Sequence, residues 1–173
     1  MASAPDVFAE PAPGIAVRAV PGTQVAHDFK RSYLSQDGWA LYAAAGSTGT
    51  PLVALVVEGS NEVTSAEMRI GRSTATADIA ACAALPAEAT GPAATAEVGG
   101  VRFTRFSASD AAMSHYQSVE SYRTVHDGAC YAIDLIIAGT RPEVYDPPRT
   151  PPFSGDAAQQ RLADALAAVH WTR

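Results

Sequence analysis

The side chains with the greatest chemical potential cluster between Asp110 and Cys130, where His115, Glu120, His126 and Asp127 also fall. A thiol becomes a nucleophile when a neighbouring base takes its proton, and His126 with Cys130 has the residue types for that pair. His115 and His126 together have the donors for a metal ion. Backbone requirements account for the same residues without any chemistry. Asp127-Gly128 is a hairpin tip selected for positive φ, and Cys130 falls in the following strand, where alternate residues face opposite sides of a sheet. Turn plus core is therefore the expectation, with no catalytic residue and no metal ligand assigned.

Other signatures of catalysis are missing from the chain. It holds no GxSxG elbow, phosphate-binding loop, GxGxxG, HExxH or EF-hand pattern. Lys30 is the sole lysine, and the residue three positions before it is His27, so no Ser-x-x-Lys arrangement activates a serine. This pattern points away from an enzyme and implies no cofactor. A hydrolase built on His126 and Cys130 stays as a competing reading.

The two cysteines, Cys82 and Cys130, lie in no CxxC arrangement. In an oxidising compartment they could pair across a loop of about 49 residues, worth on the order of 4 kcal/mol through chain entropy. In a reducing one they would be small buried hydrophobes. Residues 1–13, rich in Ala and Pro, resemble the flexible tether that follows a signal peptide or a lipid anchor on the uncut form. The expectation is a periplasmic or envelope-tethered protein, with a cytoplasmic one as the alternative.

The 173 residues are the length of one domain, taken as 14–173. A hydrophobic fraction of 47% against 17% charged residues excludes a disordered chain, and no apolar run is long enough to span a bilayer. The net charge of −6 repels phosphate backbones. Arg102 and Arg105, interleaved with Phe103 and Phe106, differ by an odd number and would face opposite ways on a strand, so nucleic acid is not expected as a partner.

Alternation and turn signals predict strands over 14–20, 26–34, 39–45, 51–58 and 65–72, an antiparallel meander whose 51–58 member is apolar enough to be central and covered on both faces. A short helix is expected over 76–85, and the small-residue stretch 86–100 reads as a loop. Strands follow over 101–106, 116–125 and 129–138, with 109–113 as a helical turn or a loop. Asp156 and Gln159 resemble a capping box opening a last helix. Its apolar stripe would be Ala158, Leu162, Ala165, Leu166 and Val169. Strands interrupted by one helix and closed by another imply an α+β fold, an antiparallel β-sheet with helices against it.

The order of elements over about residues 100–171 resembles the small extracytoplasmic PsbP-like domains. It comprises the hairpin strand Gly128-Ala129-Cys130-Tyr131-Ala132-Ile133, a crossing loop, and an amphipathic helix finishing at Trp171. The resemblance implies an α/β/α sandwich that serves as a binding or assembly module without catalysis, and it carries over no site residue.

The segment 139–153 holds five prolines and has two readings: a stiff strap from the last strand to the helix, or a contact surface ordered in advance. Arg141, Tyr145 and Arg149 within it are residue types enriched among interface anchors. Of the aromatic set Tyr33, Trp39, Tyr42, Phe103, Phe106, Tyr116, Tyr122 and Tyr131, most are expected in the core, and Tyr122 joins the candidate binding residues. The function expected is non-enzymatic binding of another protein, as an immunity or inhibitor protein would do. The alternative is a small-ligand carrier with an aromatic cleft between sheet and helix.

Overall fold

The computed structural model describes residues 2–29 and 49–173. The strand expected over 39–45, residues 30–34 of the strand expected over 26–34, and with them Lys30, Tyr33, Trp39 and Tyr42, lie outside the described residues. The fold is α+β and mostly antiparallel sheet. Ten strands and two helices run in the order β1 (Asp6–Ala9), β2 (Gly14–Arg18), β3 (Thr23–Ala26), β4 (Thr50–Val57), β5 (Thr64–Ser73), α1 (Thr76–Ala80), β6 (Ala89–Val98), β7 (Val101–Ala112), β8 (His115–His126), β9 (Ala129–Thr140), α2 (Gly155–Ala167) and β10 (Val169–Thr172). A seven-stranded sheet has the order β3-β4-β5-β9-β8-β7-β6, and a three-stranded sheet has the order β1-β2-β10.

Of the expected meander, 51–58 and 65–72 are found as the antiparallel neighbours β4 and β5; the strand paired to the other edge of β4 is Thr23–Ala26 and not 26–34, and the expected first strand pairs in the small sheet instead. The centre of the large sheet is β9, which pairs with β5 on one side and β8 on the other, while β4 is next to the edge. Strand β4 is nonetheless covered on both faces. Val53, Leu55 and Val57 join the main core, and Ala54 and Val56 join a second cluster with Phe29, Cys82 and Cys130.

The main core lies between one face of the large sheet, α2 and the small sheet. Met68, Ile70, Ile133 and Leu135 meet Ala158, Leu162 and Ala165 from the helix and Ile15 and Val17 from β2. The helix stripe arises because these α2 positions recur at three- and four-residue spacing. Its N-cap is Ser154, whose Oγ accepts from the Ala157 amide at 3.1 Å; Asp156 therefore falls in the first turn, and with alanine at the third helical position the expected capping box does not form.

Several expectations are corrected. Residues 6–9 of the expected tether form β1, hydrogen-bonded to β2, because Val7 and Phe8 have apolar surface to pack against the core. The stretch 86–100 is not a loop: 89–98 form β6 at the sheet edge, held by backbone pairing to β7, which the small side chains of this largely exposed stretch do not signal. Strand β7 continues through 109–112, and the last helix ends before Val169, which opens β10. Asp127 and Gly128 adopt φ of 47° and 75°, as the hairpin tip requires.

Cys82 and Cys130 form a disulfide with a Cα–Cα distance of 5.6 Å, fastening the segment after α1 to β9. Cys130 is fully buried. The double variant Cys82→Ala/Cys130→Ala is expected to lose about 2–4 kcal/mol of unfolding free energy in urea titration, the range for a native disulfide closing a loop of this size.

Candidate functional site

The Cys/His nucleophile is dismantled by the fold. Cys130 is spent in the disulfide. The His126 ring packs on Trp171 with centroids 4.4 Å apart, and its Nε2 lies 3.2 Å from Asp127. His115, at the far end of β8, has its Nδ1 3.1 Å from Thr140 Oγ1. Strand geometry separates the two imidazoles by the whole length of β8. No group of three or more metal-ligating side chains occurs among the described residues.

The proline segment is clipped to the protein at several points. It begins with a 3-10 turn over Pro142–Val144, and the Arg149 amide returns to the Pro142 carbonyl at 3.2 Å, so the segment folds back instead of extending as polyproline. The Arg149 guanidinium donates to Glu62 and stacks over the Tyr145 ring at 4.9 Å. The hydrogen bond from Arg149 holds the Glu62 carboxyl below its ordinary value, and the same bond raises the guanidinium. Phe153 packs against the core at the entry to α2. Tyr145 and Arg149 thus act on the strap itself.

Where the strap starts, the Arg141 amide donates to the Ser114 carbonyl at 2.9 Å. That bond joins the strap to the β7–β8 hairpin tip. The tip residue Met113 has φ of 58° and is 98% exposed, with Ala111 and Ala112 exposed beside it in sequence. Val144 on the strap is 52% exposed, and Arg141 is exposed as well. Two of the large exposed hydrophobics therefore sit on segments bonded to one another. Gly139 completes the junction: a Cβ there would lie 2.2 Å from the Val63 carbonyl and 2.7 Å from Tyr116 Oη, so only glycine permits this approach.

Tyr122 is elsewhere. It is buried in the floor of a groove of about 490 Å³ between α2 and strands β6 to β9. Leu135, Ile137, Leu162 and Leu166 supply apolar walls, and Ser107, Ser109, Ser118 and Gln159 supply polar groups. The Tyr122 hydroxyl donates to Glu120 Oε1 at 2.8 Å, and Arg105 makes an ion pair with the same oxygen. Burial, and then the Glu120 carboxylate, push the Tyr122 hydroxyl well above its ordinary value.

The candidate residues are therefore divided. Arg141, Tyr145 and Arg149 share the strap, and Tyr122 belongs to the groove. Met113 and Glu62 were not singled out by the sequence reading, and Glu120 and Arg105 were noted there without being joined to Tyr122. Glu120 and Tyr122 were findable, because residues two apart on a strand share a face. Arg105 was not, since its pairing with Tyr122 is fixed by the β7–β8 register. No protein-family model matches the chain, and no curated protein matches it at a significant level.

A second buried tyrosine, Tyr131, donates to Glu10 Oε2 at 2.9 Å, and Glu10 also accepts from the Ile15 amide at 3.1 Å. Burial, and then Glu10, move the Tyr131 hydroxyl from 10.0 up to about 12. The fold favours its neutral form, so this contribution to stability is complete below pH 10 and declines as pH rises toward about 12. Phenolate absorbance against pH should show late-titrating tyrosines, of which the one near pH 12 vanishes in Tyr131→Phe while Tyr122 remains, and the stability of that variant should fall less steeply across the same interval.

Proposed function

We propose that this chain is a non-enzymatic binding module whose contact surface for another protein is the corner made by the β7–β8 hairpin tip and the start of the proline strap. The observation that carries this reading is the Arg141–Ser114 backbone bond, which links exposed Met113 to exposed Arg141 and Val144. An apolar tip with an arginine beside it has the composition of an interface anchor. The Arg149–Glu62 pair and the Arg149–Tyr145 stack hold the strap in shape, which lowers the ordering cost of association. A partner of immunity or inhibitor type would use such a surface without chemistry at the interface.

The Cys82–Cys130 disulfide supports an oxidising compartment, the periplasm or cell envelope, as the place of action. A lipid anchor is the mode of attachment that goes with this proposal; no helix among the described residues is long and apolar enough to cross a membrane. The finer architecture that goes with this reading is the PsbP-like α/β/α sandwich, supported by α2 on one face of the sheet and the α1 segment bonded to the other.

A photo-crosslinking residue placed at position 113 in the native host tests the reading. A discrete protein adduct is expected there and not from a control at Glu97, another exposed position. Adding Arg141→Glu and Val144→Asp to the chain that carries the crosslinker at position 113 should abolish that adduct while changing stability by less than about 0.5 kcal/mol, as exposed substitutions do. A smear of adducts identical at both positions would refute the assignment.

A further inference from the structure

The groove beneath α2 is separate from that corner and has its own chemistry. Its volume of about 490 Å³ falls within the roughly 300–1,000 Å³ of small-molecule sites. It exists because α2 packs over β4 and β5 and leaves the face of β7 and β8 uncovered on one side. The open face presents Ser107, Ser109 and Ser118, while Leu162 and Leu166 line the helix side.

The head-group preference is set by one carboxylate. Tyr122 and Arg105 both engage Oε1 of Glu120, on the edge of the groove. Glu120 is the one charged residue lining the groove, and its side chain is 32% exposed. An anionic head would meet a carboxylate whose nearest cation is already committed. A cationic head would add charge to a pair that is neutral overall, at the cost of its own desolvation. An uncharged O–H or N–H donor can give a hydrogen bond to the exposed part of this carboxylate and carries little desolvation cost.

We propose that this groove binds an uncharged amphipathic small molecule, with its hydrocarbon part against Leu135, Ile137, Leu162 and Leu166 and its hydroxyl or amide head on Glu120. The remaining hydroxyls of the rim serve further polar groups on the same head.

The test is a head-group series on one tail: decanol, decanamide, decanoate and decylammonium. Each is added below its aggregation concentration to the isotopically labelled full chain and followed through leucine and isoleucine methyl shifts. Decanol and decanamide are expected to bind, with shifts at Leu162, Leu166 and Ile137, and both charged probes at least about tenfold more weakly, the loss from one mismatched polar contact. Ala163 is exposed on α2 at the groove, so Ala163→Trp fills the space without disturbing the core and should abolish binding. Glu120→Gln releases Arg105, so decanoate should gain about tenfold while decanol weakens. Unchanged melting of both variants shows that they fold. The proposal is overturned if neither neutral probe shifts these methyls, if Ala163→Trp leaves binding intact, or if all four probes bind alike in the unaltered chain. The crosslinking result at position 113 is independent of every one of these outcomes.

Discussion

Strand β9 is the constraint on which the other elements depend. It pairs along its length with both β5 and β8, and eleven of its twelve residues are buried. A strand enclosed on two edges and two faces must satisfy four neighbours at once. Tyr131, Ile133 and Leu135 fill the core shared with α2, while Cys130, Ala132, Asp134 and Ile136 point the other way. The disulfide, the buried carboxylate and the Tyr131–Glu10 contact all originate here.

The two faces of this strand use different physics. Toward α2 the packing is apolar and held by area removed from water. On the opposite face Asp134 is 1% exposed and accepts from Arg123 at 2.8 Å and from Ser121 at 2.7 Å. Arg69, directly opposite Asp134 on β5, pairs with Glu67 at 2.7 Å. Phe29 and Phe106 lie against the two guanidiniums, at 5.1 and 5.5 Å. A one-residue slip of β9 would carry Asp134 into the apolar core and Ile133 onto the charged face. Desolvation offsets most of what such pairs contribute, so their clearest consequence is the register they enforce.

The candidate surfaces lie where this double enclosure ends. The hairpin tip extends beyond the last residues of β9, and the groove opens where α2 no longer covers β7 and β8. Arg149 and Tyr145 were legible as unusual residues in the sequence, yet their role came from Glu62, 87 positions earlier in the chain. Tyr122 was legible as an aromatic on a strand. That it sits beneath a helix, sharing Glu120 with Arg105, follows from long-range pairing that no local pattern encodes.

Local signals in the chain determined much of the framework. Period-two alternation marked β7, β8 and β9, Asp127-Gly128 marked their last turn, and the three- and four-residue stripe marked α2. All rest on interactions between near neighbours, where one residue type is demanded by one backbone angle or one face. The small sheet, the strand at 89–98 and the first strand at 6–9 were missed, because their stability is borrowed from partners elsewhere: β2 pairs with β10 across more than a hundred and fifty residues of chain. The joining of the cysteines, the closing of the strap and the opening of the groove were likewise decided in tertiary structure, since each is a distance between segments and not a property of either.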